Sequence, residues 1–218
     1  GDITKELANY FQVDRGRING EPGILDEYKA VIIAKPSKPF SEADKFVIDQ
    51  YIMKGGKVLW FIDKVSVSMD SLVDGSNMAL IIDLNIEDLL FRYGVRINPD
   101  LIADIQCNII PVNRALAGNP ADFIPAPWLY YPLLSSPPTH PVTRNLNLVN
   151  TEFISSIDTL GARHKLKKSV LLKSSPYSRI ASVPRVISLE EIKDEPNRDQ
   201  FNAANIPVAV LIEGVFES

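Results

Sequence analysis

Residues 30–63 constrain the fold most, because two apolar runs, a capped helix and a glycine pair follow one another in a fixed order. The first run, Ala30-Val31-Ile32-Ile33-Ala34, is rich in β-branched residues and is typical of a strand buried on both faces. A helix is predicted from Ser41, whose hydroxyl can cap the first turn, and Gly55-Gly56 ends it. A second buried strand is predicted at 57–63. This order indicates a right-handed βαβ unit with two parallel strands.

The predicted helix is amphipathic. Its apolar residues fall on one face and its charged residues on another. The apolar face comprises Ala43, Phe46, Val47, Gln50 and Tyr51, and the charged face comprises Glu42, Lys45 and Asp49.

Beyond this unit the pattern predicts more strands than helices. Further helices are expected at 4–11 and 86–93, and further strands at 95–97, 101–110, 148–160, 169–173 and 207–216. The proline-rich stretch 120–141 is expected to be extended or irregular. The alternation of the first half predicts an α/β fold with an open, mostly parallel sheet flanked by helices, as in flavodoxin-like proteins. We expect one domain over 1–218, with a regular α/β part at 1–120 and a β-rich extension at 121–218.

Charge and composition exclude several classes of protein. The 218-residue chain has 23 basic and 27 acidic residues, so its net charge of −4 gives no electrostatic basis for nucleic-acid binding. A single cysteine rules out an intrachain disulfide. It does not distinguish an oxidising from a reducing compartment, because a protein without disulfides can occur in either. The uncharged stretch Phe123–Thr143 contains six prolines, which exclude a membrane-spanning helix there.

The motifs of phosphate-binding and nucleophilic enzymes are missing from the sequence. The turn at 35–39 has no glycine, so it does not match a dinucleotide site, and no P-loop pattern occurs. No Gly-x-Ser-x-Gly elbow occurs, and Cys107 lies in a strand-like segment where cysteine usually acts as a small apolar side chain. His140 and His164 are the two histidines, and their spacing forms no zinc motif. We therefore predict no catalytic residue, no metal and no cofactor.

The best-placed polar residues follow the two predicted parallel strands. Ligands of open parallel sheets sit at the carboxyl ends of strands, where Lys35, Ser37 and Asp63 occur. Asp63 has two interpretations, as a ligand-binding group or as the cap of its own turn. His140 also has two, as a side chain packed in a turn or as a contact residue in a pocket. These four residues are the candidate ligand-binding set.

Two other segments suggest contacts with macromolecules. Trp128, Tyr130 and Tyr131 are predicted to form an exposed apolar patch that touches a protein partner. The basic run 163–168 fits either an anionic partner or a charged strand edge that resists unwanted pairing.

Several segments spread over nearly the whole chain resemble one bacterial family. The most extensive are Tyr28-Lys29-Ala30-Val31-Ile32-Ile33-Ala34-Lys35-Pro36 and Ile48-Asp49-Gln50-Tyr51-Ile52-Met53-Lys54-Gly55-Gly56-Lys57-Val58-Leu59-Trp60-Phe61-Ile62-Asp63. Shorter ones are 40–42, 85–94, Pro127-Trp128, 140–143 and 207–216. Together they resemble the GldG-like, gliding-motility-associated auxiliary proteins of ABC transporters in Bacteroidetes.

The resemblance implies a membrane-anchored protein with a large extracytoplasmic region, working with an ABC permease and ATPase in gliding or secretion. This chain would be the extracytoplasmic portion, on the periplasmic face of the inner membrane. The family's domain is similar to the class I glutamine-amidotransferase-like fold. The nucleophilic elbow cysteine and glycine-rich oxyanion turn of those enzymes are absent here, so the resemblance carries no enzymatic activity.

Three functions are compatible with these features. The first is a non-catalytic extracytoplasmic binding or scaffolding component of an ABC transporter. The second is a module for a small ligand such as a carbohydrate, built around Asp63 and His140. The third is an amidotransferase-like hydrolase with Cys107 as nucleophile, which requires a histidine within hydrogen-bond reach.

Overall fold

The computed structural model describes residues 3–72, 75–113, 122–161 and 166–217 of the chain. Within them lie three α-helices, α1 (Ile3–Ala8), α2 (Glu42–Met53) and α3 (Glu87–Arg92). The strands are β1 (Val31–Ala34), β2 (Val58–Phe61), β3 (Val65–Ser66), β4 (Ser76–Ile81), β5 (Val95–Ile97), β6 (Asp100–Asp104), β7 (Cys107–Asn113), β8 (Phe123–Leu134), β9 (Val149–Asn150), β10 (Ile157–Thr159), β11 (Lys167–Lys173), β12 (Ser178–Ser182), β13 (Arg185–Ser188) and β14 (Pro207–Glu213). Short 3₁₀ turns occur at Asp70–Leu72, Leu189–Ile192 and Arg198–Gln200.

The βαβ unit predicted from residues 30–63 is present. Strands β1 and β2 pair in parallel, from Val31 opposite Val58 to Ala34 opposite Phe61, and α2 connects them. The hydroxyl of Ser41 accepts a 3.1 Å hydrogen bond from the backbone N–H of Asp44, as expected for the helix cap.

The prediction of an open, mostly parallel sheet is wrong. Every other strand pair in the described residues is antiparallel, and the strands are distributed over small sheets of two or three. The fold is therefore β-rich, and neither flavodoxin-like nor amidotransferase-like.

Loop length explains this result, because a parallel pair needs a crossover of about a dozen residues or more. Strand β5 is followed by β6 after two residues, and β6 by β7 after two more, which leaves no room for a helix. The longer β4–α3–β5 connection joins strands of different sheets, since β4 pairs with β3 and β13 while β5 pairs with β10.

The proline-rich stretch forms β8, a twelve-residue strand paired with β7 and β9. Pro111 of β7 lies opposite Pro125 of β8, and Pro127 lies opposite Ile109 two residues away. A proline cannot donate to the ladder, so these pairs occupy positions where the backbone groups point away from the partner strand. The alternate spacing of the prolines therefore permits regular pairing of 109–113 with 123–127, and the register shifts between Ile109 and Cys107.

Apolar side chains form two clusters. One packs α2 and α3 against the inner faces of β1 and β2, with Ile48, Leu84 and Leu89 fully buried. The other is aromatic and centres on β8, with Trp128 and Tyr130 packed beside Phe153. Full burial of a large apolar side chain contributes about 1.5–3 kcal/mol, so both clusters stabilise the fold.

Strands β1 and β2 are not buried on both faces, contrary to the prediction. Their inner residues pack on the helical cluster, whereas Ile32, Leu59 and Phe61 on the opposite side are 42%, 49% and 47% exposed. We call these three residues the outer face. A single helix, α2, links the two strands and covers one side of them, which leaves the outer face open.

Candidate functional site

The carboxyl edge of the β1–β2 pair brings together two of the four predicted ligand-binding residues. Nζ of Lys35 lies 3.2 Å from Oδ2 of Asp63, and both side chains reach solvent. Lys35 has a left-handed backbone (φ 47°), which is uncommon for a residue other than glycine, and its N–H donates to the carbonyl of Phe61. Ser37 is exposed in the same loop. A ligand role for these residues stays a prediction.

His140 belongs to another part of the molecule. It lies in the turn that follows β8, where its Nδ1 accepts a 3.3 Å hydrogen bond from the N–H of Val142. Within the described residues, no hydrogen bond or ion pair joins it to Lys35 or Asp63. This contact fits the interpretation of His140 as a side chain held in its own turn.

The basic run is described only in part, since residues 162–165, and with them His164, lie outside the described residues. Lys167 and Lys168 begin β11, which pairs with β14. Nζ of Lys167 lies 3.7 Å from Oε2 of Glu213, and Lys168 donates to the carbonyl of Leu160. These contacts are typical of a charged strand edge.

A buried lysine stands next to the carboxyl edge. Nζ of Lys64 donates to the carbonyl of Ile82 at 2.9 Å and to the carboxylate of Glu87, in the first turn of α3. The other oxygen of Glu87 accepts from the N–H of Ile86. Burial lowers the pKa of Lys64, and the carboxylate of Asp83 opposes this effect. The contacts fix the start of α3 against the end of β2.

A second buried lysine connects α2 with the loop before α3. Nζ of Lys45 lies 2.8 Å from Glu42 and 3.0 Å from both carboxylate oxygens of Asp88. Asn85 joins this network by donating to Glu42 and to the carbonyl of Phe40. Burial opposes the charge on Lys45, but its hydrogen bonds to Glu42 and Asp88 outweigh that effect and raise its pKa. The network joins α2 to the first turn of α3 and to the loop before it.

A depression close to this edge is too small for an organic ligand. It lies between the end of β2, α3 and β5, and is lined by Ile62, Lys64, Ile86, Glu87, Leu90, Arg96 and Ile97. Its volume of about 20 Å³ suits a single water molecule, whereas small-molecule sites measure about 300–1,000 Å³. Asp63 does not line it.

The aromatic residues expected at a partner contact lie in the core. Trp128, Tyr130 and Tyr131 are 1%, 0% and 7% exposed, so the expectation of an exposed patch at these side chains is wrong. The hydroxyl of Tyr130 donates to Glu191 at 3.2 Å, and burial raises the pKa of Tyr130 and of Tyr131 to about 12. These side chains are buried because β8 packs against β6 as well as pairing with β7, and because Phe153 packs against Tyr130 and Tyr131.

Cys107 does not stand in a nucleophile elbow. It is the first residue of β7 and follows a tight turn from β6, so its turn joins two strands rather than a strand and a helix. Burial, followed by the nearby carboxylate of Asp104, raises the pKa of its thiol. A raised pKa keeps the sulfur protonated, the opposite of what activates a cysteine nucleophile.

The described part of the chain has neither a metal-binding cluster nor a membrane-spanning helix. It contains no group of three or more histidine, cysteine or carboxylate side chains placed to hold a metal ion. None of its helices is long and apolar enough to cross a membrane.

The feature that sequence reasoning missed is the outer face. A continuous apolar run has the same appearance whether one or both sides of a strand are covered, so the run itself carries no signal. The available signal was the number of helices, because a single crossover helix between two strands covers only one of their faces.

Comparison with known proteins identifies the family of this chain. The model of the family described as an ABC-type uncharacterized transport system matches residues 1–218. The chain belongs to this family. It is thus an auxiliary component of an ABC-type transport system, which confirms the broader part of the sequence resemblance. No curated protein matches the chain.

Among the solved structures that match, one is titled "mmIFT52 N-terminal domain", with a TM-score of 0.51 and 15% sequence identity. The alignment covers 81% of this chain and 65% of that structure. At this identity the likeness concerns the fold alone.

Proposed function

We propose that this domain is a non-catalytic, extracytoplasmic binding or scaffolding component of its ABC-type transport system, acting in gliding motility or secretion. The outer face supports this proposal. Contiguous exposed apolar surface of a few hundred Å² or more is typical of sites that contact another molecule. Ile32, Leu59 and Phe61 provide such a surface on adjacent paired strands.

The contacts on the inner side of the same strands support a scaffolding role. These strands pack on α2 with their inner faces, Lys45 joins α2 to the first turn of α3, and Lys64 joins α3 to the segment after β2. A partner that docks on the outer face therefore contacts strands packed on two helices rather than a loop. The proposed partners are the permease and, through it, the ATPase, with this domain on the periplasmic face of the inner membrane.

Purification of the full natural protein from detergent-solubilised membranes tests the proposal. The tagged protein is isolated from its host after mild cross-linking, and co-purified proteins are identified by mass spectrometry. We expect an ABC permease and ATPase at near-stoichiometric amounts, and not with an equally abundant, unrelated tagged membrane protein. Recovery of neither subunit from intact membranes would overturn the proposal.

A further inference from the structure

We propose that the outer face receives a single amphipathic α-helix of a partner subunit, with acidic side chains at the end that meets Lys57. This inference rests on the proposed function and names the kind of segment that docks. It is carried by the size of the face, its exposed area and the charges around it.

The face has the dimensions of a short helix. Strands of four residues are about 10 Å long, which equals about two turns of α-helix. On the inner side of the same strands, α2 already packs in this way, with Val47, Ile48 and Tyr51 in the cluster beneath the sheet. Parallel strands are ordinarily covered by helices on both faces, and the outer face lacks its cover among the described residues.

The exposed area favours a helix over a second copy of the chain. Large side chains that are 42–49% exposed, with about 150–250 Å² each, present roughly 300 Å² in total. A stable dimer buries about 800 Å² on each partner. Three apolar side chains on one side of a helix match the area of the outer face. A dimer through this face would need more buried area than the three side chains provide.

The charges give the helix a direction. Lys57 is exposed at the amino end of β2, strand alternation places it on the same side as Leu59 and Phe61, and no ion pair engages it within the described residues. At the opposite end, Lys35 and Asp63 neutralise each other. The amino end of the face thus carries the unpaired charge of Lys57, which fits a helix with acidic residues, or its negative dipole end, over that lysine.

Photo-cross-linking in membranes of the host tests this inference. A photoreactive benzoylphenylalanine replaces residue 32, 59 or 61 of the full protein, one at a time, and cross-linked partner residues are mapped by mass spectrometry. We expect all three positions to reach one partner segment, at residues spaced three or four apart, as on one face of a helix. Met78, 48% exposed on β4, is the matched control and should not cross-link to that segment.

Other outcomes of the same experiment would overturn the inference. Partner residues spaced two apart would indicate an added strand, and adducts with lipid or with a second copy would indicate a different occupant. Absence of adducts at residues 32, 59 and 61, while permease and ATPase still co-purify, would contradict the helix but leave the proposed function intact. Loss of co-purification from the unsubstituted protein would instead contradict the proposed function.

Charge reversal provides an independent readout. Lys57→Glu should lower recovery of the partner several-fold, and a lysine in place of an acidic residue of the mapped segment should restore it. Lys38→Glu, a substitution at an exposed lysine beyond the neutral end of the face, should leave recovery unchanged. Equal effects of both substitutions would contradict the proposed direction of the helix.

Discussion

The hydroxyl of Tyr93 donates a 2.7 Å hydrogen bond to Oδ1 of Asp49, so the end of α3 is tied to a carboxylate in the middle of α2. Both side chains are buried. Burial, followed by the hydrogen bond to Asp49, raises the pKa of Tyr93 above its ordinary value. We expect Tyr93→Phe to lower the free energy of unfolding at pH 7 by about 1–3 kcal/mol, because Asp49 loses a buried donor.

This contribution depends on pH. A tyrosine whose pKa is raised by folding contributes fully below the pKa of the unfolded chain, about 10, and its contribution falls as the pH rises above that value. The difference in urea denaturation between wild type and Tyr93→Phe should therefore shrink above pH 10. Tyr10→Phe, at a tyrosine 82% exposed, is the control. If the difference in stability between wild type and Tyr93→Phe stayed constant up to pH 11, the hydrogen bond from Tyr93 to Asp49 would not be the source of the pH dependence.

The ion pair of Asp88 with Lys45 should stabilise the protein at neutral pH. Burial opposes the charge on Asp88, but the hydrogen bond from Lys45 outweighs it and lowers the pKa of Asp88. We expect Asp88→Asn to cost about 1 kcal/mol at pH 7, a modest value because Asp88 is half exposed.

A carboxylate with a lowered pKa contributes above its unfolded pKa of about 4, and this contribution is lost as the pH falls below that value. Wild type and Asp88→Asn should therefore converge in stability below pH 4, as measured by thermal unfolding. Glu21→Gln, at an exposed glutamate, should follow wild type throughout. If the stabilities of wild type and Asp88→Asn changed in parallel with pH, the ion pair of Asp88 with Lys45 would not explain the difference between them.

Trp128 should be among the most costly residues to truncate. It is 1% exposed and packs edge-on against Tyr130, so Trp128→Ala removes apolar contacts and leaves a cavity. We expect a loss of about 3–5 kcal/mol in urea denaturation, followed by the fluorescence of Trp60. Phe123→Ala, at a residue 62% exposed on the same strand, should change stability by less than about 0.5 kcal/mol. Similar losses in both variants would argue against a core at Trp128.

Cys107 should react slowly with alkylating reagents. Because the raised pKa keeps its thiol protonated, iodoacetamide at pH 8 should label the native protein more slowly than the urea-unfolded protein. Mass spectrometry after timed quenching gives both rates. If the native protein were alkylated as fast as the unfolded protein, Cys107 would be an accessible thiolate, and the hypothesis that it is a catalytic nucleophile would have to be considered again.

Local patterns in the sequence were sufficient where covalent geometry and capping decide the structure. The helix that begins after Ser41 and the parallel strands on either side of it follow from β-branched runs, a cap and a glycine pair. The meeting of Lys35 with Asp63 then follows from topology, because parallel strands end at the same edge.

Contacts between residues far apart in the sequence explain why other features of the structure were not predicted. Phe46, placed on the apolar face of α2 by its spacing, is 54% exposed, whereas Lys45 and Asp49 are buried because partners far along the chain reach them. The stretch 120–141 was expected to be extended or irregular, and its larger part forms the paired strand β8. The choice between these two states was not predictable, because the prolines can be fitted to a hydrogen-bonded ladder only when the register is known. A window of neighbouring residues contains neither the identity of distant partners nor the register in which two strands pair.

The pairing of Pro111 with Pro125 affects the free edges of the hairpin. At these positions backbone donors would point outward, and proline at residues 111, 125 and 127 removes them. An incoming strand, such as one from a misfolded copy, finds acceptors there without donors and cannot complete a ladder. Over residues 109–113 and 123–127 the hairpin is thus protected from edge-to-edge pairing, without the charged residues that usually guard such edges.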